Sequence, residues 1–360
     1  MIFVNPFSRA NFDIPNISLA YAATAFGARV VDFNTRPGQV DDLIKKKTDL
    51  LGISVRSLNV GEAKKIADVY KSNHPSTRIV SVGCGIDIQC CYPFRRWDDH
   101  LELEGEFSDS YPFPDYELFD SFPIFQKKWE TNQWRYAVMT SLGCPFPCEY
   151  CMCRNRKWRA RSPQNVYEEL KRARERWRIS SFLVLDDCFN ANKKRAVRLS
   201  RLISDLGLAW ECANGLRADL FDEELAEALA EGGCVQVSFG IESIDDDVLQ
   251  TIKKAETFAQ IEQAVKIATR YFRHVNGFFI IGLPGASYES DKRSLEWARS
   301  MGINAHFSYH VPQSLDLPDN EVFYGLGARP MSDAYPAAEQ ERLFLETANM
   351  RPSGVQKSIS

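Results

Sequence analysis

From Tyr136 to Val311 the chain alternates short apolar runs with amphipathic patterns of helical period. The apolar runs end in polar or glycine-bearing motifs, and this constrains the fold more than any other feature of the sequence. The strand-like run Ala137–Leu142 leads into Gly143 and Cys144, and Ser181–Leu185 ends at Asp186-Asp187. Leu208–Ala213 leads towards Arg217, Val235–Phe239 ends at Gly240-Ile-Glu-Ser243, and Asn276–Ile281 ends at Gly282-Leu-Pro-Gly285. Between them lie the helical patterns Pro163–Trp177 (with Ser162 as N-cap), Lys193–Leu206, Asp222–Glu231, Phe258–Arg270 and Glu289–Met301. The last strand, Ala305–Val311, has no obvious helix after it. Six such βα units predict an α/β fold of the barrel kind. In barrels the chemistry sits on loops beyond the carboxyl ends of the strands.

The N-terminal residues alternate in the same way. Strands are expected at Met1–Val4, Arg29–Phe33, Leu50–Val55 and Arg78–Val82, and helices at Ile17–Phe26, Val40–Lys47 and Gly61–Ser72. This pitch indicates a small doubly wound, Rossmann-like parallel sheet. Its strand-end loops are Asn5–Arg9, Ser54–Asn59 and Gly83–Asp87. Little chain follows Gly85 before the next segment, so the expectation is a truncated sheet without a clear fifth strand. Residues 91–135 crowd aromatics, prolines and acids, as in Tyr111-Pro-Phe-Pro-Asp-Tyr116, and read as a packed linker, too aromatic for disorder. The division is 1–90 for the first domain, 91–135 for the linker, 136–312 for the barrel and 313–360 for a C-terminal extension.

A net charge of −4 over 360 residues calls for neither nucleic acid nor an anionic membrane. Asn5, Pro6, Arg9 and Asp13 interrupt the start before a signal-peptide core can form, and no run has the length of a membrane span. Ten unevenly spaced cysteines in a charged chain suit a reducing compartment, and the expected location is the cytoplasm.

Cys144-Pro-Phe-Pro-Cys148-Glu-Tyr-Cys151 puts three thiols on one short loop. Gly143, Pro145 and Pro147 impose a tight non-helical wrap. A structural zinc site wants four closed ligands, whereas three cysteines on a [4Fe–4S] cluster leave one iron open to a non-protein ligand. Two other readings stay open on the loop alone: a zinc knuckle with a distant fourth ligand, and three cysteines that are only small buried hydrophobes. Cys153 is expected to be a bystander, and Cys188, Cys212 and Cys234 to belong to the core. Asp186 and Asp187 either serve a ligand or cap the following helix, and Arg217 either binds a ligand or forms an ion pair. The basic run Arg154–Arg161 and His310 each have a structural reading beside a functional one.

The cysteine loop with Tyr150 before its third cysteine, then Leu185-Asp-Asp-Cys-Phe189, Ser238-Phe-Gly-Ile-Glu-Ser243 and Ile281-Gly-Leu-Pro-Gly285, in this order, resembles the radical S-adenosylmethionine (SAM) superfamily over residues 136–312. The resemblance implies that these residues close into a partial (βα)6 TIM-like barrel, with a [4Fe–4S] cluster on Cys144, Cys148 and Cys151. It also implies SAM held by Tyr150, Asp187, Arg217, Ser238, Glu242, Gly282 and Pro284, with Asp187 at the methionyl amine and Arg217 at the carboxylate. A flavodoxin- or ferredoxin-like electron donor and a small-molecule substrate follow from it, and no catalytic side chain beyond the cluster ligands is assigned. The N-terminal sheet and Tyr111-Pro-Phe-Pro-Asp-Tyr-Glu-Leu118 resemble the cobalamin-binding (class B, B12-dependent) subfamily. In that reading Ser54–Ser57 and Gly83–Gly85 approach the corrin, and the reaction is methylation of an unactivated centre in a specialised metabolite. Asp-x-His-x-x-Gly is absent, and Val311-Pro-Gln-Ser-Leu-Asp stands where relatives carry a Pro-Gly-Thr turn. The alternatives are a radical SAM oxidation, rearrangement or carbon–carbon bond formation without cobalamin, and a non-catalytic zinc or redox-sensing module.

Overall fold

The computed structural model describes residues 1–8, 14–35, 40–55, 59–83, 100–102, 107–151, 153–312 and 329–347. Arg9, residues 56–58 of the second strand-end loop, residues 84–87 of the third and residues 313–316 lie outside the described residues. Two compact units are distinguished. The first comprises residues 1–138 and 160–182; the second comprises 139–159 and 183–316 together with the described C-terminal residues.

The first unit begins β1 (Ile2–Asn5), α1 (Ile17–Phe26), β2 (Arg29–Asp32), α2 (Val40–Ile44), β3 (Leu50–Ile53), α3 (Val60–Asn73), β4 (Arg78–Gly83) and β5 (His100–Glu102). The sheet order is β2-β1-β3-β4-β5, and every neighbouring pair is parallel. The expectation of a truncated sheet is therefore corrected: a fifth strand exists and pairs Ser81 with His100 and Val82 with Leu101. Three residues are too few to show a period in sequence. Val4, Val31, Leu51, Ile53, Ile66 and Tyr70 form the core beneath this sheet. At Gly52 a Cβ would lie 2.6 Å from the Phe3 ring, so glycine is what lets β1 and β3 pack there. Asn16 caps α1 by accepting from Leu19 N, and Gly27 ends it in the left-handed conformation.

The segment read as a linker contains a helix, α4 (Phe122–Glu130), which presents Phe125 and Trp129 to an aromatic nest with Tyr116, Tyr136 and Trp177. Pro123 at its first turn and its aromatic content hide it from propensity, but the i, i+4 aromatic pair is its buried face. Beside the nest runs α5 (Pro163–Trp177), whose Glu169 pairs with Arg161 at 2.5 Å and accepts from the Tyr136 hydroxyl at 2.8 Å.

The barrel strand expected over Ala137–Leu142 is two pieces, β6 (Tyr136–Val138) and β7 (Ser141–Leu142), and β8 (Arg159–Ala160) follows the cysteine loop. Then come β9 (Ser181–Val184), α6 (Lys193–Ile203), β10 (Ala209–Cys212), α7 (Glu223–Glu231), β11 (Cys234–Glu242), α8 (Asp246–Thr251), α9 (Phe258–Tyr271), β12 (His274–Ile281), α10 (Tyr288–Met301), β13 (Asn304–Tyr309) and α11 (Ala337–Thr347). The second sheet runs β13-β12-β11-β10-β9-β6, with β10 to β13 paired in parallel. Alternation sorts its residues. Val237, Phe239, Ile241, Phe279, Ile281, Phe307 and Tyr309 are buried, and the strands end at the polar residues singled out in the sequence. Capping boxes at Thr257/Gln260 and Ser287/Ser290 start α9 and α10.

Candidate active site

Two aspartates at the end of β9 hold the start of the cysteine loop. Asp186 is buried and accepts from Thr140 N at 2.6 Å, Thr140 Oγ1 at 2.5 Å and Ser141 Oγ at 2.6 Å. This grip on Thr140 lies where the strand breaks between β6 and β7. Burial raises the Asp186 carboxyl, against the pull of Arg195 and of its three donors. Asp187 accepts from Gly143 N at 2.8 Å and from the Cys153 thiol at 3.4 Å. Gly143 has φ 89°, and a Cβ there would stand 2.3 Å from Lys157 O. The loop then closes on itself: Arg156 N donates to Cys144 O and Asn155 N to Phe146 O.

The sulfurs differ in environment. The Cys144 thiol is drawn down to about 7, first by hydrogen bonding with the Cys188 thiol. Cys151 is drawn down by hydrogen bonding with Cys153. Burial pushes Cys148 up, although Lys254 and Arg217 oppose the shift. Among the described residues, no group of three His, Cys, Asp or Glu side chains gathers as a single-ion site.

Glu242 ends β11 with φ 67°, a left-handed conformation that costs a non-glycine residue about 1–3 kcal/mol. Its Oε1 accepts from the Tyr150 hydroxyl at 2.9 Å and lies 3.5 Å from Lys254 Nζ. Among the described residues nothing hydrogen-bonds its Oε2. Burial raises the Tyr150 phenol well above its usual range, keeping it a neutral donor. Lys254 and Glu256 are buried and lie 3.3 Å apart. Burial works against the Lys254 charge, yet Glu256 and Glu242 lift its pKa above the ordinary value. The sequence reading did not single out Lys254 or Glu256, because Lys253-Lys254-Ala-Glu256 reads as an exposed charged turn.

Arg217, expected at a ligand carboxylate, is heavily engaged within the protein. Nε and Nη2 donate to Asp219 at 2.8 and 3.0 Å, Nη1 to Lys254 O at 2.9 Å, and Nη2 also to Ala255 O at 3.1 Å. Ser238 is buried two residues before Gly240 and accepts from Asn276 Nδ2 at 3.2 Å. Gly282 has φ 76° and donates its N–H to Asp291 at 2.9 Å. Its carbonyl accepts from Ser332 Oγ at 2.5 Å, and a Cβ on it would lie 2.7 Å from Gln340 Oε1. The C-terminal residues thus occupy the space beside Gly282, while Pro284 is exposed. His310 is buried, with Nδ1 lacking a hydrogen-bond partner among the described residues. Cys153 and Cys188 border the loop cysteines, and Cys212 and Cys234 are buried beside each other. No described helix is long and apolar enough to cross a membrane.

The sequence pattern of the Radical SAM superfamily matches residues 138–298. An uncharacterised methyltransferase of Pyrococcus horikoshii is 36% identical over 208 residues, covering 57% of this chain and 44% of that protein. A cytidylyl-2-hydroxyethylphosphonate methyltransferase of Streptomyces wedmorensis is 33% identical over 222 residues, covering 57% of this chain and 41% of that protein. The chain thus spans less than half the length of these curated relatives. Among solved structures, the radical SAM methyltransferase TsrM of Kitasatospora setae with cobalamin and a [4Fe–4S] cluster bound superposes with TM-score 0.70 at 16% identity, covering 95% of this chain and 84% of that one. The cobalamin-dependent enzyme OxsB superposes with TM-score 0.64 at 16% identity, covering 99% of this chain and 57% of that one. Residues 138–298 thus match the Radical SAM superfamily, on a fold similar to those of TsrM and OxsB.

Proposed function

We propose that the chain is a radical SAM enzyme that carries a [4Fe–4S] cluster on Cys144, Cys148 and Cys151, binds SAM, and with cobalamin methylates an unactivated centre of a small molecule. The observation that carries this reading is the pairing of a three-thiol loop with Glu242, whose Oε1 is taken by Tyr150 and Lys254 while Oε2 has no hydrogen-bond partner among the described residues. The donor set fits the cluster. Three thiols on one loop supply one soft ligand per iron, and lowered values at Cys144 and Cys151 favour the thiolate. When bound, the cluster and SAM supply one-electron reductive cleavage and a carbon radical.

The chain's own residues bind and orient. Asp186 and Asp187 fix the start of the loop, and Arg217 fixes the turn behind Cys148. Glu242 offers its open oxygen to an amine or hydroxyl, a charge-assisted contact in a site walled by buried groups. For cobalamin, the sheet order β2-β1-β3-β4-β5 puts its switch point at the carboxyl ends of β1 and β3. Asn5, Asn16 and Ser54 form a buried hydrogen-bonded polar group there, which suits a polar ligand tail better than a closed apolar core. Five parallel strands in this order support a doubly wound ligand-binding domain. A reducing cytoplasm and a flavodoxin- or ferredoxin-like donor complete the reading.

The test is anaerobic reconstitution. The wild type should hold iron and sulfide and release 5′-deoxyadenosine from SAM after dithionite reduction. A Cys144→Ala/Cys148→Ala/Cys151→Ala variant that keeps its iron and sulfide would overturn the cluster assignment. A corrin absorption band retained after gel filtration supports cobalamin, and its absence removes the methylation reading.

A further inference from the structure

The basic run Arg154-Asn-Arg-Lys157 follows the cysteine loop closely and has no part in the proposed function. Its backbone is tied to that loop at three points. Arg154 N donates to Cys151 O at 3.3 Å, Asn155 N to Phe146 O at 2.9 Å and Arg156 N to Cys144 O at 2.8 Å. Asn155 adopts left-handed backbone with φ 53°, which asparagine tolerates better than most residues. Further along, the Lys157 carbonyl packs on Gly143.

The side chains of the run reach solvent. Arg154 and Lys157 are exposed, and Arg156 is half-buried. From Cys144 to Arg159 the sequence carries four cations and one carboxylate, Glu149, within a chain whose net charge is −4. That carboxylate is already matched: Lys253 pairs with it at 2.5 Å and holds it below its ordinary pKa. The rim over the cysteine loop is thus positive on a chain that is negative as a whole.

A solvated loop needs neither three backbone ties nor a left-handed residue to hold it. The carbonyls of two of the three loop cysteines, Cys144 and Cys151, are each one hydrogen bond from this run. A partner seated on it is therefore joined to the cluster ligands by a short bonded path. Exposed cations on a turn suit a macromolecular partner better than an enclosed small anion. The negative net charge disfavours nucleic acid, whose affinity comes from many phosphate contacts. Redox partners meet over small interfaces and are brought together by complementary charge.

We infer that Arg154, Arg156 and Lys157 form the docking surface for an acidic one-electron carrier protein. This rests on the reading of a cluster on Cys144, Cys148 and Cys151, and it gives the electron donor of that reading a place on the chain. One electron passes from the reduced carrier, which is oxidised, to the cluster, which is reduced, and no bond forms or breaks. The cations steer and hold the carrier and take no part in binding SAM.

The experiment compares reconstituted wild type, Arg154→Glu/Lys157→Glu, Arg154→Gln/Lys157→Gln and, as a distant control, Lys65→Glu on α3. An acidic flavodoxin and an acidic ferredoxin are the probes. Their dissociation constants are read by fluorescence anisotropy of the dye-labelled carrier, at low and at high salt. The rate of cluster reduction is followed by bleaching, with each reduced carrier and with photoreduced 5-deazariboflavin, an uncharged reductant. Wild type is expected to bind at least one carrier at low salt and to lose about tenfold in affinity at high salt. Arg154→Glu/Lys157→Glu should keep iron and sulfide while carrier affinity and carrier-driven reduction fall by about tenfold or more. Its reduction by 5-deazariboflavin should stay within about twofold of wild type, because that reductant carries no charge to steer. Lys65→Glu should behave as wild type. Carrier affinity of the reversed variant within about twofold of wild type, or equal slowing with charged and uncharged reductants, overturns the inference. If the reversed variant loses its iron, the glutamine pair decides: several-fold weaker carrier binding supports the surface, and unchanged binding overturns it. A wild type that holds its cluster but binds neither carrier also overturns it. A wild type without iron or sulfide instead rejects the proposed function, which separates the two failures.

Discussion

The guanidinium of Arg217 lies 3.8 Å from the centroid of the Phe146 ring, in the middle of the cysteine loop. A planar cation stacked on a ring while it donates sideways to Asp219 and to two carbonyls is a task for arginine alone. Arg217→Lys should therefore lower stability by about 2 kcal/mol in urea unfolding, since an ammonium cannot span these acceptors. A variant as stable as wild type would show that the stack and the fork are incidental.

Gly143→Ala tests the loop wrap. The substitution combines φ 89° with a methyl group 2.3 Å from Lys157 O, and backbone, unlike a flexible side-chain tip, cannot give way cheaply. The expected outcome is loss of most reconstituted iron with little change in far-ultraviolet circular dichroism. Full iron loading in this variant would contradict the closed-loop geometry.

Asp186→Asn replaces a carboxylate that accepts three hydrogen bonds by an amide that turns a donor towards donors. A loss of about 2–3 kcal/mol follows, seen as a lower thermal midpoint of the apoprotein. An unchanged midpoint would mean that Arg195, which donates to the Thr140 carbonyl at 2.8 Å, and Asn214, which donates to the carbonyls of Leu185 and Asp186 at 3.0 Å, hold this corner without it.

Asp291 predicts a pH dependence. Burial raises its carboxyl from 3.8 to about 6, against the hydrogen bonds from Gly282 N and the Tyr335 hydroxyl. The folded chain thus binds this proton more tightly than the unfolded chain. Its contribution to stability is fully present below about pH 4, falls as pH rises towards 6, and is then constant, a change of at most about 3 kcal/mol. Asp291→Asn removes the titration. The stability of wild type minus variant, measured in urea from pH 4 to 7, should decline up to pH 6 and level off above it. A difference that stays flat over this range sinks the assignment.

Much of this architecture is legible in the sequence because strand ends are marked chemically. Asp186-Asp187, Gly240–Ser243 and Gly282–Gly285 stand out where apolar alternation stops. What stays hidden is partner choice. Arg217 is recognisable as a strand-end cation, but nothing local says that it clamps the carbonyls of Lys254 and Ala255. Asp187 reads as a ligand or a cap, and in the fold it holds Gly143. Lys254 and Glu256 look solvated because burial is decided by β11 and the cysteine loop, which are distant in sequence. Short elements escape too: β5 is too brief for a period, and α4 begins with a proline among aromatics.

Gly282, pinned by Ser332 and Gln340, carries a consequence for how the chain can be divided. The superfamily pattern ends at residue 298, yet Gln340 is fully buried and Phe344 stacks on Tyr309 at 4.7 Å. A fragment cut at the pattern's edge would lose its sixth strand, and one cut after β13 would still leave the Gly282 carbonyl without Ser332 and the Tyr309 ring bare. The recurrent segment is thus a core that needs its own tail to finish it, so variation in that tail can reshape one strand end while the shared pattern stays intact.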